Sequence, residues 1–318
     1  MTSSGLALTG LVPGGGTVRT DAVGTPGLTQ GGYGSRGNLE LVVPGPQGGF
    51  TVCWFNSDPV EGPVSEPSIP AATWSAGLGV GEVVAPSVEV PAARTPYDSL
   101  AVLQARSGPD FLEVAALGHE GVDRWTWSPG PGFRRTGTWS TTATDPPELG
   151  YPGVPFVAET AMSLVVGRTV GSLVERWVAP LDGYPDDLAW TSESLLVAGP
   201  VRAAAADADG RTVLVVATED GLGLVSWPLE GEVSSRDLGV SSTARAVAVC
   251  CGPDLVLAAL PGGDLVAADG SSEPVALATG PEADALACCW SVMGAERHLE
   301  IAERRGSELV HRRWPVSR

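Results

Sequence analysis

Basic residues are scarce in this chain of 318 residues: 19 Lys and Arg stand against 37 Asp and Glu, for a net charge of −18. A field of that sign repels polyanions, so nucleic acid and anionic membranes are poor partners. No basic cluster beyond the pairs Arg134-Arg135, Arg304-Arg305 and Arg312-Arg313 offsets it locally. No apolar run reaches the roughly 18 residues that a membrane-spanning helix needs. The opening Met1-Thr-Ser-Ser-Gly-Leu lacks a basic start and a long apolar core, so it does not read as a secretory signal, and a cytoplasmic protein is the simplest expectation.

Catalytic and cofactor motifs are also missing. There is no Gly-x-Ser-x-Gly nucleophile elbow. Glycine runs such as Gly14-Gly-Gly and Gly77-Leu-Gly-Val-Gly have no helical pattern behind them, which excludes a phosphate loop or dinucleotide fingerprint, and no cofactor is expected. The three histidines, His119, His298 and His311, share no ligand spacing. His298 and His311 read as surface residues. His119-Glu120 reads as a solvated turn with a weak acid/base candidacy. Cys53, Cys250, Cys251, Cys288 and Cys289 include two vicinal pairs, and neighbours on a strand face opposite sides, so neither pair chelates one ion easily. No metal site is expected. The thiols read as small buried packing groups, with a channel-facing thiol in each pair as the functional alternative.

What the chain does have is a repeat. A short apolar strand recurs as Leu39-Glu-Leu-Val-Val, Leu112-Glu-Val-Ala-Ala, Leu164-Val-Val-Gly, Leu214-Val-Val-Ala, Leu255-Val-Leu-Ala-Ala and Leu299-Glu-Ile-Ala, at intervals of 73, 52, 50, 41 and 44 residues. A tryptophan follows the leucine at nearly constant distance: Trp54, Trp127 and Trp314 at 15 residues, Trp177 and Trp227 at 13. The fifth repeat has lost it. Small-residue runs such as Ala203-Ala-Ala-Ala precede each leucine, as the crowded axis of a radial array requires. Thr73-Trp-Ser, Thr138-Trp-Ser, Ala189-Trp-Thr, Ser234-Ser-Arg-Asp-Leu-Gly and Glu273-Pro-Val-Ala-Leu read as outermost strands.

Such a period of strands and turns predicts an all-β fold, a six-bladed β-propeller with four-stranded antiparallel blades. The array occupies 1–318 as one domain, with blades near 26–80, 98–142, 155–199, 201–240, 244–279 and 283–318. Residues 17–24 are expected to close the last blade as an N-terminal strand. The most helix-like window, Ala283 to Ala295, is assigned to strand. Residues 55–97 and 128–155 carry seven and six prolines and read as long loops flanking the second blade.

Aligned repeats put Asp98, Arg202, Arg245 and Asp284 at the first positions of the inner strands, with Gln30 a looser equivalent, all around one mouth of the central channel. Such a ring binds a polar small molecule through charge-assisted hydrogen bonds, or ties neighbouring blades together.

The phrase Gly37-Asn-Leu-Glu-Leu-Val-Val-Pro followed by Gly49-Phe-Thr-Val-Cys-Trp-Phe and Thr73-Trp-Ser-Ala-Gly-Leu-Gly resembles the repeat of tectonin-like and PLL-type propeller lectins. The resemblance implies sugar binding between blades, with aromatic faces stacking on a pyranose. Trp54, Trp74, Trp125, Trp127 and Trp139 are the stacking surfaces it points to. The leading expectation is therefore a lectin-like module for a glycan or small polar ligand. The alternative is an enzyme of bacterial secondary metabolism, a lyase, cyclase or isomerase, using Asp98 or Asp284 as acid or base and Arg202 or Arg245 to steady an anion. A protein-interaction scaffold is the third.

Overall fold

The computed structural model describes residues 7–8, 12–58, 69–81, 95–108, 110–140 and 153–317, and every regular element among them is a strand. The strands form a six-bladed β-propeller. From the axis outward, the first blade is Gly27–Gly31, Asn38–Pro44, Phe50–Asn56 and Leu78–Val80. The second is Ser99–Gln104, Leu112–Gly118, Gly121–Ser128 and Gly132–Ser140, and the third Pro155–Glu159, Ser163–Val170, Leu173–Pro180 and Thr191–Leu196. The fourth is Val201–Ala206, Thr212–Ala217, Leu222–Trp227 and Ser234–Val240, and the fifth Ala246–Cys250, Leu255–Ala259, Asp264–Ala268 and Val275–Thr279. In the sixth, Ala285–Met293, Glu296–Arg305 and Glu308–Ser317 are covered by Val12–Arg19 and Ala7–Leu8 from the start of the chain.

The inner strands pack side by side around the axis, and the sixth returns to the first. The wedges between blades hold the cores. Successive side chains on a strand point to opposite faces, so a single second strand supplies two wedges. In the first blade Leu39, Leu41 and Val43 pack toward the sixth, while Val42 packs toward the second. Leu39, Leu164, Leu214 and Leu299 are each 0 % exposed, and full burial of such a side chain stabilises by about 1.5–3 kcal/mol.

The fifth blade departs from the repeat as read. Leu164, Leu214 and Leu299 lean toward the preceding blade, as Leu39 does, but Leu255 and Leu257 lean toward the following one, and Val256 takes the backward-facing place. A shift of one residue swaps the faces of a strand, so the aligned leucine of this repeat is out of phase. In the first blade Trp74 makes only an isolated bridge to Phe55, and the outermost strand is Leu78–Val80 instead of Thr73–Ser75.

The closing strand, Val12–Arg19, begins earlier than the expected 17–24, with Gly16 opposite His311 and Thr17 opposite Val310. His298 and His311 are not surface residues. They are 5 % and 1 % exposed, because each occupies an inward-facing position of its strand. His311 Nδ1 accepts the Gly15 amide at 2.8 Å, and its Nε2 bonds Glu300 at 2.8 Å. A Cβ on Gly15 would lie 2.3 Å from the Trp74 indole, so only glycine lets the N-terminal strand approach this closely. Of the two proline-bearing loops, 59–68, 82–94 and 141–152 lie outside the described residues.

Candidate functional site

Three second strands carry a glutamate directly after the leading leucine, Glu40, Glu113 and Glu300, and strand alternation turns each toward the following blade. Two are neutralised by the chain itself. Glu113, 0 % exposed, takes a fork from Arg124 at 2.8 and 2.7 Å and the Tyr184 hydroxyl at 2.7 Å. Arg124 also donates to the Pro185 carbonyl at 2.9 Å, so residues 184–185 of the third blade fill that wedge. Glu300 accepts from Arg313 at 2.8 Å and Ser291 at 2.6 Å, besides His311. Burial alone would raise the Glu300 carboxyl, yet His311 and Arg313 hold it below the ordinary carboxylate range.

Among the described residues Glu40 has no cation. Its hydrogen-bond donor is the Asn38 amide, and burial pushes its carboxyl up to about 8, a rise that the Asn38 bond only partly opposes. At neutral pH the group is mainly the protonated acid, able to donate as well as accept. Trp54 lies across the strand pair from Glu40 and shares its face, two residues from Val52, which packs toward the second blade. Trp54 is half-buried, and its indole N–H has no hydrogen-bond partner among the described residues.

The second blade presents the opposite wall. Trp125 packs into the wedge with Phe50 and Tyr97, and Trp127, two residues on, shares that face. Trp125 is 4 % exposed; it meets Phe50 edge-on at 5.7 Å and donates its N–H to the Tyr97 hydroxyl at 3.0 Å. It is the floor of the site, not a stacking surface. Gln104 closes the rim, accepting the Gly32 amide at 3.2 Å. The 32–37 loop is pinned by Asp58, whose Oδ1 accepts the Ser35 amide at 2.8 Å, the Ser35 hydroxyl at 2.7 Å and the Arg36 amide at 3.2 Å. The wedge between the first two blades thus joins an uncharged carboxyl, an indole donor and two half-buried indoles over a fixed aromatic floor.

Of the aromatics expected at a site, Trp54, Trp125 and Trp127 share this wedge, but Trp74 and Trp139 do not. Trp74 packs in the wedge between the sixth and first blades, 5.3 Å from Phe55 and 5.2 Å from His311. Trp139 stacks on Trp177 at 5.0 Å between the second and third blades. Neither Glu40 nor Asn38 was singled out by sequence reasoning. The signal was the recurrence of an acid inside strands otherwise made of Leu, Val and Ala, where an unpaired carboxyl is costly.

The channel-mouth residues separate. Arg202 donates to the Ser242 and Ala244 carbonyls at 3.1 and 2.6 Å, and Arg245 pairs with Glu282 and with Asp284 at 3.3 Å. Asp284 accepts the Gly306 amide at 2.7 Å. Asp98 is exposed beside Thr25, and its carbonyl accepts that residue's amide at 2.8 Å. Gln30 is at the other mouth: it exchanges both amide bonds with Val292, at 2.8 and 2.9 Å, near the far end of the sixth inner strand. The first and second inner strands start side by side in parallel, so a residue late in Gly27–Gly31 cannot reach the end where Asp98 lies. His119 sits in an exposed turn on the second blade. The channel itself encloses about 620 Å³, walled largely by Ala, Val and Leu, with Arg202, Arg245 and Asp284 at one mouth.

No protein-family model matches this chain, and no curated protein matches it in sequence. Among solved structures, it is similar to a mutant of the Aleuria aurantia lectin in complex with α-methyl-L-fucoside, with a TM-score of 0.60 at 12 % identity over 94 % of this chain and 96 % of that one. It is also similar to AofleA from Arthrobotrys oligospora, with a TM-score of 0.59 at 10 % identity over 94 % of this chain and 86 % of that one. At such identities the likeness is one of fold: a propeller of the kind found in fucose-specific lectins.

Proposed function

We propose that this protein is a lectin-like module that binds a neutral glycan, or a small molecule of similar polyhydroxyl chemistry, in the wedge between its first and second blades. The observation that carries this reading is Glu40, the one glutamate of its repeat set with no cation among the described residues, paired across the strands with Trp54, whose indole N–H has nothing to bond there. A ligand hydroxyl would satisfy both groups, and the half-buried faces of Trp54 and Trp127 suit the apolar side of a pyranose. The fold shared with the fucose-bound Aleuria aurantia lectin supports the same class of ligand, as does the tectonin-like phrase around Leu39. An anionic sugar is disfavoured by a net charge of −18, and the guanidinium on this side of the second blade, Arg135, already pairs with Asp123 at 3.5 Å. The enzymatic reading has less behind it, because Arg202 and Arg245 spend their donors on neighbouring strands and carboxylates.

A glycan array followed by calorimetry on the best neutral hit tests the proposal. Glu40→Ala and Trp54→Ala should each weaken binding about tenfold or more, equivalent to about 1.4 kcal/mol, while Arg245→Ala changes only the melting temperature. Absence of any glycan hit, or affinity untouched by both wedge substitutions, would overturn it.

A further inference from the structure

The four cysteines of the inner strands divide by strand face. Cys250 and Cys288 belong to the wedge between the fifth and sixth blades, whereas Cys251 packs toward the fourth blade and Cys289 toward the first. This division follows from the one-residue phase shift of the fifth blade, which turns Ala246, Ala248 and Cys250 to the sixth. Cys250 and Cys288 thus face each other across the wedge, within one packed cluster of side chains. Both residues line the central channel, whose volume of about 620 Å³ admits a small molecule. All five cysteines are free thiols.

We propose that Cys250 and Cys288 form an oxidisable pair, a modification site at which a small-molecule disulfide entering the channel leaves a covalent bridge between the fifth and sixth blades. Cys288, the more exposed of the two, loses its proton and attacks one sulfur of the reagent, forming a mixed disulfide and releasing one thiol. Cys250 then gives up its proton and attacks the Cys288 sulfur, releasing the second thiol. In balance, two protein thiols and one small disulfide become one protein disulfide and two small thiols. The neighbouring Cys250 and burial keep Cys288 protonated well above the usual thiol range, so the exchange is slow at neutral pH and accelerates with base.

The test exposes the folded full-length chain to glutathione disulfide at pH 7 and pH 9, followed by acid quench, alkylation and chymotryptic mass mapping. The expected product has a 250–288 linkage, a mass lower by about 2 Da, two fewer titratable thiols, and a raised melting temperature that dithiothreitol reverses. The Cys251→Ala/Cys289→Ala double variant should give the same product, and Cys250→Ala and Cys288→Ala should not. A glutathione adduct that never resolves, a different linkage, or unchanged thiol counts at pH 9 in both wild type and double variant would overturn the proposal.

Discussion

Every cation in this chain is an arginine; lysine is absent. The planar guanidinium reaches several acceptors at fixed angles and stays charged when buried, and that is how it is used here. Arg124, Arg168 and Arg176 are each 1 % exposed. Arg176 bonds Glu193 and the carbonyls of Trp227 and Pro228, with its fork 3.7 Å from the centre of the Trp227 ring, and so ties the third blade to the fourth. Removing Arg124 strands the buried carboxylate of Glu113. Arg124→Ala should cost about 3–5 kcal/mol in chemical denaturation, with part of that recovered when Glu113→Gln is added. Glu40 behaves oppositely. Its folded-state pKa is raised, so the folded chain holds the proton more tightly than the unfolded one. The resulting stabilisation is complete below the ordinary carboxylate value of 4.5 and is lost as pH rises through about 8. Glu40→Gln should therefore flatten the decline of stability between pH 5 and pH 9, and neutral-glycan affinity of the wild type should fall across pH 8 in the same titration.

Among the strands, the apolar period and the tryptophan spacing made the blades legible, because both report on burial that a strand cannot avoid. Leu39, Leu112, Leu164, Leu214 and Leu299 begin equivalent strands. Leu255 misled because Leu255-Val-Leu-Ala-Ala is apolar on both faces and leaves its phase unmarked. Thr73-Trp-Ser misled in another way: Trp74 is held by Phe55 and His311, so an aromatic that looked like edge dressing is core. The site was half legible. Tryptophans announce themselves in a sequence, but the isolation of Glu40 appears only when Arg124 and Arg313 are found beside its counterparts. The closing strand carries its own test. Deleting residues 1–19 removes the partner of Glu308–Ser317 and bares its backbone, so the truncated chain should melt well below the full-length protein and aggregate as concentration rises, as scattering during a thermal ramp would show.

On the scale of the whole molecule, the wedges have diverged. The set of glutamates has two members answered internally and one left open, so a single chain should present one glycan site and act as a monovalent binder. It should bind soluble sugar in calorimetry with unit stoichiometry, yet fail to agglutinate cells or precipitate a polyvalent glycoconjugate. Visible agglutination by monomeric protein would contradict that count.

The pairing of Ala7 with Ser317 in the last sheet has a topological meaning. With Ala7 and Ser317 side by side, the chain that runs from one to the other is nearly a loop, and the place where that loop is interrupted is arbitrary with respect to packing. A circular permutant that links those ends and opens between the third and fourth blades would keep every wedge, changing only the order in which a ribosome delivers them.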